Sequence, residues 1–126
     1  LQHRDRSRRE VEQRLVRAGI DEDRRNDALE TLERVGYVDD GRFAGTRARA
    51  LADRGYGDEW IRHDLAGHGV IAEAVGEAIE ALIPEAERAA ALVERLGRTP
   101  KTGAHLARKG FGRDALETTL GIDVAE

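Results

Sequence analysis

A six-residue pattern recurs five times in this chain of 126 residues: leucine, three residues of any kind, glycine, then an apolar residue. Its instances are Leu15, Gly19 and Ile20; Leu32, Gly36 and Tyr37; Leu51, Gly55 and Tyr56; Leu65, Gly69 and Val70; and Leu106, Gly110 and Phe111. Each suits a helix C-terminus. The glycine can take the left-handed position just past the helix, and the apolar residue behind it packs back on the leucine one turn earlier. Leu15, Leu65 and Leu106 are each followed, fourteen residues later, by Leu29, Ile79 and Leu120. A period of about 40–50 residues between such marks points to a helical array.

Start signals fall where these stops leave room for them. Ser7 and Glu10 have the spacing of a capping box, so a first helix runs from near Ser7 to Ala18 with Val11 and Leu15 buried. Asp21 caps a second carrying Ala28, Leu29 and Leu32, and Asp39 or Asp40 a third through Phe43, Ala44, Ala48 and Leu51. Asp58 opens a fourth with Ile61 and Leu65, a fifth carries Val75, Ala78, Ile79 and Leu82, and Pro84 suits the first turn of a sixth. Pro100 opens a seventh, and an eighth with Leu116 and Leu120 ends at Gly121. The expected architecture is all-α: about eight helices in tandem three-helix repeats forming an elongated, curved array. Residues 1–126 make a single domain, with repeats at about 7–55, 56–97 and 98–121, the third truncated to two helices.

Composition narrows the function. Charged residues make up 37% of the chain and aromatics 4%, so a thin aliphatic core lies under much solvated surface. There is no cysteine, hence no disulfide framework and no thiolate zinc site, and no apolar run long enough to cross a bilayer. No signal-peptide pattern is visible, and a cytoplasmic protein is expected. His3, His63, His68 and His105 have no metal-ligand spacing, so neither a metal, a cofactor nor a catalytic centre is expected. Gly55, Tyr56 and Gly57 lack the strand and lysine of a phosphate-binding loop and read as helix punctuation. The acid pairs Asp39 and Asp40, and Asp58 and Glu59, read as caps. Tyr37, Phe43, Tyr56, Trp60 and Phe111 are expected chiefly in the core rather than as base-stacking surfaces.

The net charge of −4 hides alternation of sign along the chain. Residues 1–20 carry a net +3 and residues 21–40 a net −5; residues 73–94 carry a net −5, and residues 98–113 a net +5 without a single acid. That last stretch, Arg98, Lys101, Arg108, Lys109 and Arg113, repels itself unless something anionic lies nearby. The anion is either a partner or the acidic 73–94 segment of the same chain. Arg4 and Arg8 of the first basic segment and Arg42 of the third helix complete the candidate partner-binding set.

Four blocks then carry a family resemblance. They are Ser7-Arg8-Arg9-Glu10-Val11 through Leu15 to Gly19-Ile20; Gly36-Tyr37-Val38-Asp39-Asp40-Gly41-Arg42-Phe43-Ala44; Arg54-Gly55-Tyr56-Gly57 with Ile61, Leu65 and Gly69-Val70; and Leu106-Ala107-Arg108-Lys109-Gly110-Phe111. In this order and at this spacing the chain resembles the RecX family of bacterial recombination regulators over nearly its whole length. The resemblance implies three-helix repeats and a non-enzymatic protein, acting as a monomer, that binds the RecA nucleoprotein filament and inhibits its ATPase and strand exchange in recombinational DNA repair and the SOS response. By that resemblance a curved helical rod lies in the filament groove, with DNA touched through basic patches, and Arg108 and Lys109 are the leading contact residues on the solvated side of their helix. The chain is more acidic than typical members. The alternative from another class is a helix-turn-helix DNA-binding regulator, since paired helices joined by a glycine turn are also its unit.

Overall fold

The computed structural model describes residues 6–36 and 38–121, which form eight α-helices and, among the described residues, no strand. They are α1 (Arg8–Arg17), α2 (Glu22–Arg34), α3 (Asp40–Asp53), α4 (Asp58–Gly67), α5 (Ala72–Glu80), α6 (Glu85–Leu96), α7 (Pro100–Arg108) and α8 (Arg113–Leu120). Local chemistry sets the starts. Ser7 and Glu10 form the full capping box of α1, while Asp21, Asp39 and Thr99 accept from the backbone N–H three residues on in α2, α3 and α7. Pro84 stands one place earlier than expected, as the N-cap of α6, whereas Pro100 is the first residue of α7.

The recurring glycines end helices through a double hydrogen bond. Ile20, Tyr56, Val70 and Phe111 donate their N–H groups to the carbonyls of Leu15, Leu51, Leu65 and Leu106, each at 3.1 Å. Gly19, Gly36, Gly55, Gly69 and Gly110 donate to the carbonyl three residues back, with φ between +78° and +95°. This is the Schellman arrangement, in which the glycine takes the one conformation that turns the chain and satisfies two end carbonyls. Tyr37, which follows Gly36, lies outside the described residues.

Three apolar clusters stand in series. Val11 of α1, Leu29 of α2 and Val38 make the first. Ala44, Ala48 and Leu51 of α3, Ile61 and Leu65 of α4, Val70, and Ala74, Val75 and Ala78 of α5 make the second. Ala89 and Val93 of α6, Leu106 of α7, Phe111, and Ala115, Leu116 and Leu120 of α8 make the third. The alanines let α3 lie close on α5, and α6 on α8. Counted by packing, the groups are therefore α1 with α2, α3 to α5, and α6 to α8. The glycine stops repeat with the same period but cannot show which helices share a core.

Two matching junctions join the clusters. At the first, the N–H of Arg8, the opening residue of α1, donates to Asp40 Oδ1 at the start of α3 (2.9 Å), and the buried Ser7 hydroxyl donates to the carbonyl of His68 in the α4–α5 turn. At the second, the N–H of Asp58, the opening residue of α4, donates to Glu85 Oε2 at the start of α6 (2.7 Å). There Gly57 and Glu59 donate to the carbonyls of Lys109 and Gly110 in the α7–α8 turn at 2.8 and 3.2 Å. Glycine is required on both sides of this contact. A Cβ on Gly57 would fall 2.5 Å from the carbonyl carbon of Gly110, and one on Gly110 would fall 2.6 Å from Trp60 Cβ. Gly69 is pressed in the same way against the Arg9 side chain.

Candidate partner-binding surface

The junctions consume much of the charge that looked free in the sequence. Arg8 donates through Nε to Glu33 Oε1 at 2.9 Å, tying α1 to the end of α2. That hydrogen bond raises the Arg8 pKa against the opposing effect of burial. Arg42 donates to the Gly36 carbonyl and stands 3.8 Å from Asp39, bracing the α2–α3 connection. Arg98 donates to the Thr119 carbonyl at the end of α8 (3.0 Å). Lys109 is half-buried, its Nζ 3.6 Å from the centre of the Tyr56 ring. It is thus a packing residue across the second junction, not a solvated one as its place in the sequence suggested. Arg4 lies outside the described residues.

Lys101, Arg108 and Arg113 remain exposed, and none of them has a hydrogen bond or ion pair among the described residues. Lys101, His105 and Arg108 occupy one face of α7 at helical spacing and border a shallow depression with Leu96, Thr99 and Thr102. Buried Leu106, Thr102 and Gly103 fix the other face to the core. Among the described residues no carboxylate of the acidic 73–94 segment forms a hydrogen bond or ion pair with Lys101, Arg108 or Arg113. Glu85 is turned inward, accepting the backbone N–H groups of Asp58 and Gly112. Of the eight described helices, α7 alone has no acid in its first turn. Lys101 therefore adds to the positive end of the helix dipole, an arrangement that works against helix stability and favours an incoming anion.

Sequence reasoning missed the ion pair that joins α3 to α4 beside the second cluster. Arg47 of α3 grips Asp64 of α4 with two nitrogens, Nε and, at 2.9 Å, Nη2. These hydrogen bonds hold the Asp64 carboxyl below its ordinary range against the desolvation that opposes them, and the charges of Arg47, His68 and His63 add to the effect. Nothing in the spacing of the two residues announces the contact. The inward role of Arg88 was equally hidden: its side chain is 10% exposed, pairs with Asp58 at 2.7 Å and lies over the Phe111 ring. Trp60 departs from expectation in the other direction. Phe111 is core, as anticipated, but Trp60 is 44% exposed because its backbone, not its ring, packs on Gly110.

Among the described residues no group of acidic and histidine side chains could hold a metal ion, and no helix is long and apolar enough to cross a membrane. No family model matches the chain. It is similar to the regulatory protein RecX of Stenotrophomonas maltophilia, 32% identical over 133 aligned positions covering 98% of this chain and 82% of that protein. The regulatory protein RecX of Xanthomonas axonopodis pv. citri is 32% identical over 136 positions, covering 100% of this chain and 84% of the relative. In fold it matches the crystal structure of RecX from Lactobacillus salivarius with a TM-score of 0.82 at 21% identity, covering 94% of this chain and 86% of that one. A second crystal structure of regulatory protein RecX matches with a TM-score of 0.76 at 20% identity, covering 94% and 64%. Identity above 30% along essentially the whole chain, on the same all-helical architecture, makes this protein a member of the RecX family of regulatory proteins.

Proposed function

We propose that this chain is a non-enzymatic, cytoplasmic regulator that binds the RecA recombinase filament as a monomer and lowers its ATPase and strand-exchange activities in recombinational DNA repair and the SOS response. The observation that carries the reading is the α7 face. Lys101 and Arg108 stay exposed without a hydrogen bond or ion pair among the described residues, on a chain whose relatives are named regulatory proteins. Cations held at fixed spacing on a rigid helix suit an acidic surface on a repeating partner. Arg113, the first residue of α8, is likewise exposed, while Arg98, Lys109, Arg8 and Arg42 tie neighbouring segments together. The helix-turn-helix alternative would put α7 in a groove as its basic recognition helix, and buried Thr102, Gly103 and Leu106 commit one face of that helix to the core.

The test is RecA ATPase on single-stranded DNA, titrated with the chain at two salt concentrations. Inhibition should weaken at higher salt. Lys101→Glu with Arg108→Glu should raise the half-inhibiting concentration about tenfold or more with little change in melting temperature, since both side chains are exposed and the helix-dipole gain at the start of α7 opposes the loss at its end. Undiminished inhibition by the folded double variant would refute the assignment.

A further inference from the structure

Trp60, the one tryptophan in the chain, is half-exposed although nothing in the fold requires a large ring there. Its indole stacks on Tyr56 with ring centres 4.8 Å apart and planes inclined by 18°. Lys109 Nζ stands 3.6 Å from the centre of the same tyrosine ring. An ammonium so close and a parallel indole cannot share one face, so Lys109, Tyr56 and Trp60 form a column whose outer end is the open face of Trp60. The column is held rigidly. Gly110 presses on Trp60 Cβ and backbone, and Glu59 donates its N–H to the Gly110 carbonyl.

Cations lie near this column. The Arg54 guanidinium lies 5.6 Å from the Tyr56 ring centre, and Arg113 begins α8 three residues beyond the Gly110 turn. Of the nearby acids, Asp58 is paired with Arg88, Glu59 is exposed with Arg62 3.8 Å away, Asp53 adjoins Arg54, and Asp114 lies in the first turn of α8. The other exposed large apolar residues, Val16, Val35, Ile71, Ile83 and Leu96, are on other elements of the chain. A lone flat ring with an open face, backed by cations, matches a partner that is itself flat, aromatic and tied to negative charge. We propose that the outer face of Trp60 is a stacking site for a base of single-stranded nucleic acid, with the flanking phosphates drawn to Arg54 and Arg113.

This inference stands independently of the filament reading, and its test contains no recombinase. Because Trp60 is the sole indole, intrinsic emission reports this site alone. Short oligo(dT), added to the full chain at low salt, should quench the emission, and an abasic oligonucleotide of equal length should not. Trp60→Ala should weaken oligo(dT) binding, followed by anisotropy of a labelled strand, about 5-fold or more, while Trp60→Phe keeps most of it. The proposal fails if the strand binds without quenching, if abasic and oligo(dT) strands quench alike, if Trp60→Ala binds as well as the parent, or if no strand binds at all. Quenching by RecA protein alone with none by oligo(dT) would also overturn it, assigning the face to a protein partner and leaving the ATPase test untouched.

Discussion

Replacing Gly57 by alanine probes the junction between the second and third clusters directly. Gly57 has φ −87° and ψ 174°, dihedrals open to any residue, so alanine adds no backbone strain and by itself would stabilise by up to about 1 kcal/mol through the unfolded chain. The new Cβ would lie 2.5 Å from the Gly110 carbonyl carbon and 2.6 Å from its oxygen, both backbone atoms with little freedom to move. Relieving that overlap requires the start of α4 to withdraw by about 1 Å from the α7–α8 turn, since ordinary contact begins near 3.4 Å. Such a shift breaks the hydrogen bonds from Gly57 to Lys109 and from Glu59 to Gly110. At about 1 kcal/mol each, with some packing lost around Phe111, the gross loss is about 2–3 kcal/mol. The net is about 1–2 kcal/mol, or roughly 4–8 °C in melting temperature for a chain of this size. Gly76 provides the opposite case within α5, where a Cβ meets nothing within 4 Å and alanine should stabilise by about 1 kcal/mol. Thermal unfolding followed by far-ultraviolet circular dichroism and by Trp60 emission measures both. A Gly57→Ala variant that melts at or above the parent temperature would refute the close-approach argument.

Gly36→Val should destabilise by about 1–2 kcal/mol in denaturant titration, because φ is +79° and a Cβ there meets nothing, so the whole penalty lies in the backbone; equal midpoints would disprove the left-handed cap. Asp64→Asn should be less stable than the parent at neutral pH, and the gap should close on acidification. The carboxyl of Asp64 titrates below its unfolded value, so its contribution is present above that value, near pH 4, and is lost as pH falls through the folded one. A gap between the two chains that is the same at pH 7 and pH 3 would rule this out.

What the sequence made legible was decided within one turn of chain. Ser7 with Glu10, the asparagine-free acidic caps at Asp21 and Asp39, and the leucine–glycine stops are contacts between residues three to five apart, so type and order of the helices follow from spacing. The junctions are different in kind. Asp40 accepting from Arg8, and Glu85 accepting from Asp58 and Gly112, join residues far apart in sequence and look like ordinary first-turn acids until the fold is seen. The same holds for the candidate surface. A run of five cations in residues 98–113 is visible as charge, but only the structure separates Arg98 and Lys109, held by Thr119 and Tyr56, from Lys101 and Arg108, which face solvent. Gly57 read as punctuation for the same reason, since its tight neighbour, the Gly110 turn, belongs to another cluster.

Both junctions depend on a hydrogen carried by the first backbone nitrogen of a helix, that of Arg8 in α1 and that of Asp58 in α4. In α7 that place belongs to Pro100, whose nitrogen is closed into a ring and has no hydrogen to give. The molecule can thus shake hands twice and not a third time. A modular architecture whose ends resemble its middle is open to end-to-end growth into fibres, since a head-to-tail contact need never close on itself. One imino acid at the start of α7 withholds this particular grip at that end of the molecule.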